Sequence, residues 1–294
     1  MMRPGARFAM RALTALAACP ILAPTGAASQ LSSPIAPGAS ATFRWTGQTI
    51  QGGLIRVTAP AGSIAITIDG KTLPLAPDGT FLVGFDRDAG PQALLEATLA
   101  DGRRVPQPIA VAPRAWRIER LNTLPRFPAP DPVMAQLRPA ELAQIAAARA
   151  RVTDAAGWRQ RFIWPATGRI SGLFGAQRIY RGEPGSYHSG TDIAKPTGTP
   201  VVAPADGVVI LAAAQPFTLE GHLLMIDHGN GLNSAFLHLS RIDVAVGDHV
   251  RQGQPLGAIG ASGRATGPHL HWSLRWRDAR LDPMLVAGTP DNKN

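Results

Sequence analysis

Gly267-Pro268-His269-Leu270-His271-Trp272 is the stretch from which both the fold and the chemistry of this chain can be read. Strand side chains alternate with a period of two, so His269 and His271 lie on one face of a β-strand and can offer two imidazoles to a single site. Such a pair also occurs as ordinary polar strand residues. Its meaning therefore depends on what else the chain brings to it.

The surrounding region, residues 162–285, is β-rich. Strand candidates are 169–174, 191–194, 207–213, 223–227, 234–239, 249–250 with 257–259, and 269–275. They are separated by turn signals such as Gly229-Asn230-Gly231, Val246-Gly247-Asp248 and Ala261-Ser262-Gly263. Three further groups can join the histidine pair. His188-Ser189-Gly190-Thr191-Asp192 carries a histidine and a carboxylate four apart, and its glycine favours a loop running into a strand over a helix. His238 sits inside the apolar run Phe236-Leu237-His238-Leu239-Ser240. His222, His228 and His249 fall beside turn or loop signals and read as structural.

Composition limits the chemistry. The 294 residues include one cysteine, Cys19, which excludes an internal disulfide framework and any multi-cysteine zinc site. A metal must then be held by histidines and carboxylates. Hydrolytic zinc sites use three protein ligands and keep a fourth position open, and histidine and aspartate are suitable donors. The helical HExxH pattern with its glutamate base is absent, so proton handling falls to further histidines.

The chain from about residue 169 to 285 closely resembles the lysostaphin/LytM-type zinc metallopeptidases of family M23, which cut peptide bonds in bacterial peptidoglycan. The resemblance rests on Ser171-Gly172-Leu173-Phe174-Gly175, the His188 to Ile193 run, Pro200-Val201-Val202-Ala203-Pro204-Ala205-Asp206-Gly207, the Phe236 to Ser240 run, Val246-Gly247-Asp248-His249-Val250, and Gly260-Ala261-Ser262-Gly263 leading to His271. These segments occur in family order. The resemblance implies an antiparallel β fold with a groove across one sheet, one zinc ion, and His188, Asp192 and His271 as its ligands. It implies that His238 and His269 stand beside the metal as general base and oxyanion donor, in an order the motifs leave open. Ser273 departs from the family, which often has an acidic residue soon after the second histidine. Family members that have lost metal ligands act as wall-binding activators of amidases. That is the alternative reading, and this chain keeps all five residues.

The rest of the chain places this domain. Residues 1–29 read as an export signal: Arg3, Arg7 and Arg11 precede an apolar run over 12–23 and the small residues Gly26-Ala27-Ala28-Ser29. Leu16-Ala17-Ala18-Cys19 resembles a bacterial lipobox, which offers membrane attachment through Cys19 as an alternative to cleavage. Either way the expected location is the periplasm or cell envelope. Residues 40–113 show six or seven short alternating segments with Asp69-Gly70, Asp78-Gly79 and Asp101-Gly102 turns, which predicts a small immunoglobulin-like β-sandwich without a catalytic cluster. Residues 114–161 form a basic, Pro-rich linker with a helix expected over 140–156, opened by Pro139, stopped by Gly157 and striped by Leu142, Ile145 and Val152.

The expected architecture is mainly β: export signal, β-sandwich at 40–113, linker and helix at 114–161, and peptidase domain at 162–286. The net charge of +9 gathers in the first 29 residues and in the connector, while the two β regions are nearly neutral. No folded face concentrates the charge as a nucleic-acid reader would, so the expected partner is peptidoglycan. Arg178, Arg181 and Arg264 lie near the site motifs as candidates for substrate carboxylates.

Overall fold

Short hairpin signals become two facing sheets in the N-terminal part of the computed structural model, which describes residues 42–124 and 131–290. The segment expected to be an export signal, Cys19 and most of the proline run lie outside the described residues. Strands β1 (Arg44–Gly47), β2 (Leu54–Thr58), β3 (Ser63–Ile68), β4 (Lys71–Leu73), β5 (Thr80–Gly84), β6 (Gln92–Leu99) and β7 (Arg104–Ala110) form sheets of order β1-β2-β5 and β4-β3-β6-β7. Asp69 and Gly70, with φ of 46° and 77°, make the tight turn between β3 and β4, where aspartate and glycine tolerate the left-handed region. Ile55, Val57, Phe81 and Val83 of one sheet meet Ile66, Leu95, Ala97 and Ile109 of the other in a shared core.

The connector departs from expectation in three respects. Strand β8 (Ile118–Leu121) was not foreseen, because it is short, mostly exposed and exists through parallel pairing with a distant hairpin. Helix α1 spans Pro132–Arg149, so Pro139 lies within it and Gly157 falls beyond its end. Asp131 sets the true start: its carboxylate accepts from the backbone N–H groups of Val133 and Met134, and Pro132 occupies the first turn. The expected apolar stripe holds only at Ile145. Leu142 and Val152 are exposed, whereas Glu141, Ile145 and Ala148 turn inward. Arg138 holds Glu220 with two hydrogen bonds of 2.5 and 2.7 Å, and Glu141 accepts from Thr218 N and Oγ1. Polar anchors thus flank a short apolar contact made through Ile145 and Ala148. Gly157 instead begins a buried 3-10 turn, where a Cβ would meet the Asp206 carbonyl.

The remaining strands are β9 (Arg169–Gly172), β10 (Gln177–Tyr180), β11 (Glu183–Pro184), β12 (Thr191–Ala194), β13 (Pro200–Val202), β14 (Gly207–Ala212), β15 (His222–Asp227), β16 (Leu232–Ile242), β17 (His249–Val250), β18 (Pro255–Ile259), β19 (His269–Trp276) and β20 (Ala279–Leu281), followed by helix α2 (Pro283–Ala287). Ten of them build one sheet, with the path β17-β14-β15-β16-β19-β12-β9 and with β18, β13 and β20 attached to it. Its pairings are antiparallel, and the fold is mainly β as the sequence predicts.

The two faces of the sheet are covered differently. Phe236, Leu270, Trp272 and Leu274 point into a core that runs on without a break into the N-terminal sandwich. All described residues lie in a single compact unit. On the opposite face, Ile145 and Ala148 of α1 pack with Ile210, Leu223, Met225 and Ala235. Ala235 pairs with Ser273, and Leu237 with His271. Paired residues share a face, so His271 opens onto the side of the sheet that α1 partly covers.

Candidate metal centre

The register of two central strands creates the site. Asp192 of β12 lies directly opposite His271 of β19, and on its other side opposite Gly172 of β9. His188 precedes β12 in an irregular segment and folds back over the same row. Its Nε2 lies 3.0 Å from Asp192 Oδ1 and 3.0 Å from His271 Nδ1, and His271 Nδ1 lies 2.9 Å from Asp192 Oδ1. His188, Asp192 and His271 are grouped with the geometry of a metal-binding triad.

Tautomers follow from the outer contacts. His188 Nδ1 lies 3.0 Å from the Leu173 carbonyl and donates to it, which leaves Nε2 with a lone pair directed at Asp192 and His271. Asp192 is an acceptor only. With both rings neutral, at most one proton is present among three converging acceptor atoms, and a cation at their centre satisfies all of them. A tetrahedral zinc with bonds of about 2.0–2.2 Å separates its ligand atoms by about 3.3 Å, so the triangle need open only a few tenths of an ångström. The donor set fits zinc in number, atom type and spacing.

Burial alone would raise the Asp192 carboxyl, but the His188 and His271 rings, which donate to it whenever they carry a proton on the facing nitrogen, outweigh burial and hold the group far below the usual carboxylate range. Burial lowers His271 despite the Asp192 contact. At His188 burial acts downward as well, yet the hydrogen bond and charge of Asp192 prevail and the net shift is upward.

Two more imidazoles stand beside the triad. His269 Nε2 lies 3.8 Å from Asp192 Oδ1, and its Nδ1 donates to the Gly267 carbonyl at 2.8 Å. The ring of His238 is 4.8 Å from that of His269 and 6.3 Å from that of His271. His238 Nδ1 donates to the Ser262 carbonyl at 2.9 Å, leaving Nε2 as the ring's acceptor. Burial pushes His238 down to about 4. His238 also has φ of +64°, a conformation that costs a non-glycine residue about 1–3 kcal/mol. It sits where β16 leaves β19 and takes up β18, between Leu237 opposite His271 and Leu239 opposite Ile259. Its backbone N–H donates to the Glu220 carbonyl at 2.8 Å.

The structure thus brings together all five residues singled out in the sequence. His228 is fully buried away from them, hydrogen-bonded to the Asp206 carbonyl and Ser234 Oγ. Arg178 pairs with Glu119, and Arg181 donates to the Thr123 carbonyl. Ser273 lies on the His271 face and brings no carboxylate there. Four supporting residues were not read as functional. Gly172 and Gly190 leave no room for a side chain: a Cβ at Gly172 would lie 2.2 Å from Asp192 Oδ2, and one at Gly190 would lie 2.7 Å from His271 Nε2. Ser262 accepts from His222 N, donates to the Leu239 carbonyl and orients His238, while Glu220 links that strand to α1. The glycines lay within quoted motifs, but a glycine signal does not say what approaches it.

Comparison with known proteins agrees with this geometry. The description of peptidase family M23 matches residues 186–283, a span that contains all five site residues. The crystal structure of a protein described as a peptidase M23 from Pseudomonas aeruginosa is 31% identical, with a TM-score of 0.63 over 82% of this chain and 96% of that one. Peptidoglycan DD-endopeptidase ShyA of Vibrio cholerae is 40% identical over 129 residues, covering 42% of this chain and 29% of that protein. DD-carboxypeptidase/endopeptidase Mpg of Neisseria meningitidis is 41% identical over 123 residues, covering 40% of this chain and 27% of that protein. The chain therefore spans less than a third of the length of these curated relatives.

Proposed function

Because the chain belongs to peptidase family M23, we propose that it is a zinc-dependent endopeptidase that hydrolyses peptide bonds in the stem peptides or cross-links of peptidoglycan. The observation that carries this reading is the convergence of His188 Nε2, Asp192 Oδ1 and His271 Nδ1 within 3.0 Å, with two further imidazoles alongside. Zinc held by these three would supply Lewis acidity toward the scissile carbonyl and a water that ionises near neutral pH.

The chain's own residues do the rest. His238 and His269 are the proton-handling pair. Each commits its Nδ1–H to a backbone carbonyl, so each keeps an Nε2 that can take a proton from water and return it to the leaving amine or to the developing oxyanion. The carbonyls of Leu173, Gly267 and Ser262 fix three ring orientations before substrate arrives. Residues 162–286 form the peptidase domain, and 40–113 are an accessory sandwich.

The relatives named DD-endopeptidases support placing the scissile bond in the D-alanyl to diaminopimelate cross-link of a periplasmic wall. No helix among the described residues is long and apolar enough to cross a membrane. Metal analysis of the purified full-length protein, combined with mass spectrometry of products from defined muropeptides, tests the reading. Zinc near one per chain and cleavage at that bond are expected. A wild-type protein that binds no zinc and releases no product is not this enzyme.

A further inference from the structure

One cation on the site face has no counter-charge. The side chain of Arg149, the last residue of α1, makes no hydrogen bond or ion pair with any described residue, and its Nε is buried without a partner. Arg275 and Arg280 lie opposite one another on β19 and β20, so their side chains share a face. Burial, and after it the charges of Arg275 and Arg280, lower the Arg149 guanidinium to about 10. The charge of Glu220 acts the other way, but Arg138 already holds that carboxylate. Ala148, the residue before Arg149, packs in one cluster with Ala235, which pairs with Ser273, two residues before Arg275 on the same face, so the end of α1 comes to the row that carries Arg275. Arg275 donates Nε to the Arg277 carbonyl and reaches Asp278 at 3.5 Å, and Arg280 Nη1 donates to Tyr187 Oη at 3.2 Å, which leaves further N–H groups on both. The undescribed segments hold a single acidic side chain, Asp291.

The cluster is placed to meet substrate. Arg275 follows His271 by four residues on the same strand and face, a distance of about 13 Å at 3.3 Å per residue. Tyr187, which receives Arg280, is the neighbour of His188. An uncompensated, largely desolvated guanidinium is unfavourable until an anion reaches it, and arginine forks match carboxylate geometry.

We propose that Arg149, Arg275 and Arg280 form a carboxylate-binding subsite beside the metal centre, one that engages a free carboxylate of the peptide substrate about four extended residues from the scissile bond. This rests on the endopeptidase reading. It also gives α1, which lies outside the matched family segment, a part in substrate choice.

The test uses the full-length zinc-loaded protein and one cross-linked muropeptide in two forms, with free α-carboxylates and with those groups amidated. The wild type should favour the free form by about 10- to 100-fold in kcat/KM, mainly through KM, as expected for a charge-assisted contact. Arg149→Gln and Arg275→Gln should each bring that ratio toward one. Arg149→Gln should melt no lower than wild type, since it removes an unpaired cation. A marked fall in its melting temperature would make Arg149 structural and overturn the proposal.

Calorimetry with the non-hydrolysing His238→Ala protein separates this idea from the activity itself. Preference for the free carboxylate without hydrolysis by wild type would remove the endopeptidase reading and keep the subsite. Equal binding of the two forms would overturn the subsite.

Discussion

Asp192 and His271 face one another across two antiparallel strands, and Oδ1 of the first lies 2.9 Å from Nδ1 of the second although 79 residues separate them in sequence. The next same-face residue on β19, His269, is displaced by one pleat toward Ala194. One strand therefore presents a ligand and its neighbour in different positions relative to the same carboxylate. His271→Ala should lose zinc on dialysis, whereas His269→Ala should retain it and lose about 100- to 10,000-fold in kcat. Metal content of the two purified variants checks this, and equal loss of zinc from both would contradict the division of labour.

Gly190 and Gly172 form the walls of the ligand triangle. Ala at 190 would put a methyl 2.5 Å from the Trp272 carbonyl and 2.7 Å from His271 Nε2. We expect Gly190→Ala to cost about 1–3 kcal/mol of stability through strain. It should also weaken zinc binding about 10- to 100-fold by turning the ring, as when a supporting partner of a ligand is lost. Competition with a chromogenic chelator measures the second effect.

Arg138 acts on His238 from a distance. It clamps the Glu220 carboxylate, and the Glu220 backbone carbonyl accepts from His238 N, holding the strained turn at φ of +64°. Arg138→Met leaves two nearly buried carboxylates, Glu141 and Glu220, without their cation, and should destabilise the protein by about 1–3 kcal/mol, allowing for partial exposure of the arginine. Steady-state kinetics should show a fall in kcat at unchanged zinc content. A stability loss with full kcat would limit Arg138 to a structural role.

His228 gives the fold an acid-sensitive element away from the candidate metal centre. Burial holds its imidazole down to about 4 against an ordinary value of 6.5. The unfolded chain takes up this proton near pH 6.5 and the folded chain only near 4, so its stabilising contribution is complete above 6.5 and is lost as pH falls through that window. The difference amounts to about 3 kcal/mol. Urea unfolding at pH 7 and pH 4.5 should show this loss in wild type and a smaller one in His228→Gln.

Much of the site was legible because its chemistry is concentrated in rare residue types. Seven histidines and one cysteine leave few ways to build a metal site, and the spacing of His188 with Asp192 and of His269 with His271 marks the two strands that carry it. What was missed lies in backbone relationships. The carbonyls of Leu173, Gly267 and Ser262 orient three imidazoles, yet any residue type supplies a carbonyl. The bounds of α1 were misread because Pro139 resembles a helix start, while the start is set by the Asp131 cap and the docking by Arg138 and Glu141.

The amino-acid sequence by itself determined the class of fold, since alternation and turn residues are local properties, and its motifs carried the resemblance that pointed to the family and to a candidate His and Asp ligand set. Only the tertiary structure decided the register that sets Asp192 against His271, the left-handed turn that presents His238, and the docking of the end of α1 on the sheet face where Arg275 lies opposite Arg280. Register and docking depend on which distant strands share hydrogen bonds and which side chains fill a common core. Those energies belong to pairs of residues far apart in the chain, and a linear pattern does not record them.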